Sequence, residues 1–196
     1  MAYLTESTAR AAAPARGALA ESSLRKAAGV SMNTAFDVFL SHSSLDAEVI
    51  SGVKGILDGH GLSVYVDWIV DDELDRMNVT IQTAEKLRER MRHSSSLIFA
   101  TSDSSPDSKW MPWELGYFDG FRPGHVAVLP LVPTASSHFA GQEYVGLYPD
   151  IEVVALPSRR EGLGIRITTG SKSGSTVSVA RLPIDQITTK TEVRES

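Results

Sequence analysis

The chain has 196 residues, 42% hydrophobic and 22% charged, and its 19 basic against 24 acidic side chains give a net charge of −5. Those figures suit one ordinary globular domain with tails, and no Lys/Arg cluster stands out of the kind that nucleic acid requires. With no cysteine there is no disulfide and no thiolate metal site, and no apolar run approaches the ~18 residues of a membrane span. No apolar leader is visible near Met1, so the expectation is a soluble, cytoplasmic protein with neither nucleic acid nor membrane as a partner.

Residues 1–33 are rich in Ala, Arg and Ser and broken at Pro14, which predicts an N-terminal arm or one loosely docked helix. From Thr34 onward, short apolar runs alternate with helical patterns. Phe36-Asp37-Val38-Phe39-Leu40 is nearly continuous in apolar residues, as a strand covered on both faces should be. Ser43 or Ser44 can cap the following helix, whose Leu45, Val49, Val53, Ile56 and Leu57 share one stripe and which ends at Gly59-His60-Gly61.

Leu62 to Trp68 alternates and predicts a second strand, parallel to the first if the crossover is right-handed. After an acidic loop at Asp71-Asp72-Glu73-Leu74-Asp75, read as solvated, Ile81, Ala84, Leu87 and Met91 mark a second helix. Leu97-Ile98-Phe99-Ala100 predicts a third strand, followed by a polar loop from Thr101 to Asp107. The next helix should begin around Lys109 to Met111, because Pro112 lacks an N–H and is tolerated only in a first turn. In it Trp110 and Glu114 lie about 40° apart on one face, with Trp113, Tyr117 and Phe121 beside them. That aromatic stripe reads either as a wall beside the carboxylate or as ordinary core packing.

Val126 to Leu129 and Glu152 to Leu156 complete five strands alternating with helices. This pattern implies a doubly wound α/β sandwich with a parallel sheet and a ligand cleft beyond the strand C-termini. Those ends are Ser41-His42-Ser43, Asp67-Trp68 and Thr101-Ser102-Asp103, and the helix of Glu114 starts at the same edge. Gly164 to Thr169 and Ser175 to Arg181 flank a Gly/Ser/Lys turn and suggest a hairpin, after which residues 186–196 look frayed.

Several chemistries are excluded on motif. There is no Gly-rich phosphate loop, the five histidines share no metal spacing, and the acidic run lacks the glycine and distal glutamate of a calcium loop, so no metal is expected. Ser41 and His42 are a poor nucleophile and base, since neighbours on an extended chain point to opposite sides. A response-regulator receiver would need an acidic pair where this chain has Leu40-Ser41-His42.

Four segments in order, Phe36 to His42, Val64 to Trp68, Ser108-Lys109-Trp110-Met111-Pro112-Trp113-Glu114-Leu115-Gly116 and Glu143 to Pro149, together resemble a bacterial TIR (Toll/interleukin-1 receptor) domain from about Thr34 to Pro157. The resemblance implies a flavodoxin-like three-layer sandwich with a five-stranded parallel sheet at residues 34–158, between the 1–33 segment and a 159–196 extension. It also implies cleavage of NAD⁺ as a substrate, with no cofactor, to nicotinamide and ADP-ribose or a cyclic isomer. Glu114 would be the catalytic residue, with Trp110, Ser41, His42, Ser43, Asp67 and Trp68 binding substrate. Self-assembly through TIR–TIR contacts into a homo-oligomer, and a separate sensor or effector protein in anti-phage defence, follow from the same likeness.

Duller readings stand beside these. Glu114 would be a first-turn carboxylate favoured by the helix dipole, His42 a solvated or backbone-bonded loop residue, and Trp68 a loop anchor. The alternatives for the whole are a non-catalytic homotypic adaptor and a transferase resembling nucleoside deoxyribosyltransferases, whose glutamate also meets an anomeric carbon. One departure from the family is plain: the chain after Arg159 lacks the tryptophan-bearing closing helix.

Overall fold

In the computed structural model, residues 3–13, 30–43, 46–71, 80–102, 105, 108–137, 139, 141–156, 159–167 and 175–178 are described, from Val154 onward by backbone alone. The described elements are β1 (Leu4–Thr5), α1 (Glu6–Ala12), β2 (Phe36–Ser41), α2 (Ala47–Gly59), β3 (Val64–Tyr65) and α3 (Asp67–Val70). They continue with α4 (Ile81–Arg92), β4 (Ser94–Thr101), α5 (Trp110–Phe121), β5 (Val126–Val132), a 3-10 turn at Glu143–Leu147, β6 (Asp150–Leu156), β7 (Arg159–Ile167) and β8 (Ser175–Ser178).

The sheet runs β3-β2-β4-β5-β6-β7-β8. Its first five strands are mutually parallel, and β7 and β8 turn back antiparallel. This is the flavodoxin-like sandwich, with strands crossing over through helices. Period-two alternation sends Val38, Leu40, Ile98, Ala100, Ala127 and Leu129 to one face, under α1 and α2. Phe39, Leu97, Phe99, Val126 and Val128 go to the other, under α4 and α5. Each Val, Leu, Ile or Phe side chain so buried contributes about 1.5–3 kcal/mol, which makes the twin cores the main support of the sheet. Among the described residues no helix is long and apolar enough to cross a membrane.

Three local expectations need correction. The second strand ends at Tyr65: Val66 is already the N-cap of α3, so Asp67 and Trp68 stand on a helical turn. Leu62, Val64 and Val66 bury on one face and Tyr65 on the other, so apolar alternation continues past the point where the backbone turns. The N-cap of α2 is Asp46, not Ser43, while Ser44 and Leu45 lie outside the described residues. The aromatic stripe of α5 divides. Trp110 and Phe118 are buried, whereas Trp113, Tyr117 and Phe121 are partly or fully exposed in a row of ring contacts. The guanidinium of Arg88 sits 5.2 Å over the Trp113 ring and that of Arg92 sits 5.9 Å over Tyr117.

At the N-terminus, β1 pairs parallel with β5 (Leu4 opposite Leu131), and α1 packs on α2 with Ala9 fully buried. A Cβ added at Gly52 would stand 1.7 Å from the Ala9 carbonyl oxygen, so glycine is what lets the two helices approach. Where composition suggested an arm or a loose helix, residues 3–13 form a closely fitted strand and helix. Residues 14–29, and the tail expected to fray at 186–196, lie outside the described residues.

Candidate functional site

The candidate site is built where β2, β3 and α5 meet at the C-terminal edge of the sheet. Phe39 and Ser41 point to the α5 side of β2, because Val38 and Leu40 point to the other. Ser41 Oγ accordingly donates a hydrogen bond to Glu114 Oε2 at 2.6 Å, and both side chains are 0% exposed. The helix that supplies Glu114 starts as the proline argument requires: Lys109 is its N-cap, Met111 N donates to Ser108 Oγ at 3.3 Å, and Pro112 lies in its first turn. Trp110, one turn before Glu114, is buried and meets Trp113 edge to face, with ring centroids 5.3 Å apart.

His42 points away from Ser41. Its Nδ1 donates to the Leu40 carbonyl oxygen at 2.8 Å, and its Nε2 accepts from Trp68 Nε1 at 3.1 Å. Through these two contacts the ring bridges the end of β2 to α3. Asp67 Oδ1 lies 3.4 Å from the same Nε2, and Asp67 and His42 are both buried. Ser43 is buried beside them, and its carbonyl accepts from Asp46 N at 3.2 Å. A Ser41–His42 dyad is not formed.

Ser41 and Glu114 are therefore joined directly, while His42, Asp67 and Trp68 form a second knot joined to the first through adjacent residues of β2. At the end of β4, Ser102 Oγ donates to Asp46 Oδ2 at 2.5 Å and Ser102 N to Ser105 Oγ at 2.7 Å. Asp46 was not anticipated from the sequence, although an acidic residue just before a helix is the signal to look for. Asp103 and most of the acidic loop, Asp72 to Asp75, lie outside the described residues.

The first residue of that acidic run corrects the expectation of a solvated loop. Asp71 is buried, receiving Arg90 Nη2 and Nε at 2.8 Å each and the Tyr65 hydroxyl at 2.9 Å, with Lys86 Nζ 3.4 Å away. Burial pushes its pKa up, but hydrogen bonds from Arg90 and Tyr65 and the charges of Arg90 and Lys86 outweigh this and hold the carboxyl below its usual range. Burial, then the neighbouring Asp71 charge, pushes the Tyr65 hydroxyl well up. Arg90 could have been flagged from the sequence, since it shares the stripe of Leu87 and Met91 on α4 and a basic residue on an apolar stripe needs a buried partner.

A carboxylate held by a hydroxyl and enclosed away from water can stabilise positive charge on a bound molecule far better than one in solvent. No family model matches the chain. Over 118 residues it is 54% identical to the "Probable 3' cyclic ADP-D-ribose synthase ThsB'" of Bacillus cereus (strain MSX-D12), covering 60% of this chain and 61% of that protein. Over 83 residues it is 36% identical to the "Putative cyclic ADP-D-ribose synthase TIR2" of Cytobacillus dafuensis, covering 42% of this chain and 22% of that one. The chain thus spans about three fifths of the length of the first relative (61%) and about a fifth of the second (22%).

Proposed function

We propose that the chain is a bacterial TIR-domain protein, a reading supported by its likeness to the two relatives and by its flavodoxin-like sheet, and that it cleaves NAD⁺ at the nicotinamide–ribose bond and closes the product into a cyclic ADP-ribose isomer. The observation that carries the reading is the buried Glu114 carboxylate, oriented by Ser41 at the C-terminal edge of a parallel sheet. The names of the two relatives choose the nucleotide and favour ring closure over release of linear ADP-ribose.

The chemistry needs only one carboxylate. Hydrolysis of an ordinary glycoside requires a second carboxyl group to protonate a poor leaving group. Nicotinamide in NAD⁺ is already a cation and departs as a neutral amine, taking the electron pair of the C–N bond. Glu114 would stabilise the positive charge that grows at the anomeric carbon, and Ser41 would hold the carboxylate at a fixed angle. A nitrogen or hydroxyl of the same nucleotide then bonds to that carbon and loses any proton it carries, giving the cyclic product; water in its place gives ADP-ribose. In this reading Trp110 closes the site, Ser43, Asp67 and Trp68 shape its rim, and His42 acts by holding Trp68.

Self-assembly as the activating step, and a place in anti-phage defence beside a separate sensor or effector, belong to the same proposal. The test is chromatography of NAD⁺ incubated with concentrated wild-type protein and with Glu114→Gln. Nicotinamide and a cyclic product from the wild type alone are expected. Full activity in the variant removes Glu114 from its role. Intact NAD⁺ with a wild-type protein whose assembly is verified by light scattering favours the adaptor reading, and base exchange on deoxynucleosides favours the transferase.

A further inference from the structure

The Asp71–Arg90 pair lies outside the chemistry described so far, yet it ends the same helical turn that begins at the site. α3 is a single turn, Asp67–Val70, and its C-cap N–H, that of Asp71, donates to the Asp67 carbonyl at 2.6 Å. One turn has no stability of its own, because nucleation costs more than one hydrogen bond returns. Its position is therefore set by tertiary contacts: Ile69 is buried in one core and Val70 packs against the other, and side chains grip the two ends. At the start, the Trp68 indole is bonded to His42. At the end, Asp71 is gripped by the Arg90 fork and by the Tyr65 hydroxyl of β3.

Arg90 does more than pair a charge. Its Nη1 donates to the Ser31 carbonyl at 2.7 Å on the segment that leads into β2, and its guanidinium lies 5.6 Å over the Tyr65 ring. That ring stacks on Phe39 of β2, with centroids 5.1 Å apart. Arg90 is 1% exposed and Asp71 4%. A planar fork with two bonds to one carboxylate fixes direction as well as distance, which a single Lys contact cannot do.

We propose that Arg90 and Asp71 are positioning residues of the active site: by fixing the far end of α3 they set where Trp68 and Asp67 stand against His42, and so hold the corner beside Ser41 and Glu114. The inference rests on the NAD⁺ reading for its kinetic consequence, while the placement of Trp68 is open to a separate measurement. A pair that served stability alone would leave the indole of Trp68 where it is.

The experiment uses the full chain and the double substitution Asp71→Leu/Arg90→Met, because exchanging a whole buried ion pair for apolar side chains is often neutral for stability, whereas removing one partner is not. Two signals are read: the NMR resonance of the Trp68 indole N–H, assigned by its loss in Trp68→Phe, and the KM and kcat for NAD⁺. The expected result is a folded protein whose Trp68 resonance is displaced or broadened and whose KM rises about tenfold, with a smaller change in kcat. A folded double variant with the wild-type resonance, or with wild-type kinetics, overturns the proposal. Should the double variant fail to fold, Tyr65→Phe removes only one bond to Asp71: a smaller displacement of the same resonance supports the proposal and an unmoved one overturns it. A wild-type protein that leaves NAD⁺ intact sinks the activity reading instead, and the resonance alone then decides the positioning.

Discussion

Asp71 and Glu114 are both carboxylates removed from water, and they keep different company. Asp71 is locked by a guanidinium fork, a tyrosine hydroxyl and a nearby ammonium. Glu114 is oriented by the hydroxyl of Ser41. A carboxylate committed to a guanidinium has already spent its field on a resident cation. On the proposed reading, Glu114, held by a serine hydroxyl, turns its field on a visiting cation. On that reading the difference separates a part that fixes architecture from a part suited to chemistry.

Four substitutions or conditions would break or sharpen that contrast. The largest effect is expected for Glu114→Gln, which keeps shape and a hydrogen-bond acceptor for Ser41. NAD⁺ turnover should fall about a thousandfold, the scale of removing a group that stabilises transition-state charge, while the melting temperature stays within about 5 °C. Asp71→Ala should behave in the opposite way. Leaving the Arg90 guanidinium buried and unanswered costs about 3–5 kcal/mol, readable as a large shift of the urea midpoint. A Glu114→Gln protein that unfolds more readily than Asp71→Ala would reverse the roles assigned to the two residues.

Ser41→Ala comes next. It removes a hydrogen bond to a charged group, worth about 1.5–3 kcal/mol where buried, and a carboxylate free to rotate should lower kcat about tenfold with little change in KM. The smallest effect is in pH. The Asp71 carboxyl is held below its ordinary value of 3.8, with the upward push of burial outweighed by Arg90 and Tyr65. A lowered folded pKa contributes stability that is complete above the unfolded value and is lost as pH falls through the folded one. Thermal melts should therefore fall more steeply below about pH 4 in the wild type than in Asp71→Leu/Arg90→Met. Equal slopes would show that Asp71 carries no such linkage.

The parts legible in the sequence are those governed by local pattern. Strands β2, β4 and β5 are covered on both faces, so their apolar runs announce them, and Pro112 marks the start of α5 within a residue. Trp110 and Glu114 share a face by helical arithmetic alone. The bond from Ser41 to Glu114 was legible only as a rule of topology, that strand ends converge on one edge; which atom meets which depends on the alternation of β2 in three dimensions. The end of β3 was not legible, because Leu62 to Val66 keeps alternating while the backbone has turned into α3. Asp71 was misread because charge runs are usually solvated and its partner Arg90 arrives from another helix. Ile81 fails for a related reason: it fits the apolar stripe of α4 yet is 72% exposed, since the first turn of that helix overhangs the core.

The seating of Ala9 against Gly52, with Leu4 clipped beside Leu131, bears on how this protein should be handled at the bench. A fragment trimmed to start at Thr34, where the repeating pattern opens, would have an uncovered furrow along α2 and a bare length of β5. Such a fragment would cling to its own copies through a wound rather than through a native surface, and any oligomer counted with it would report the surgery.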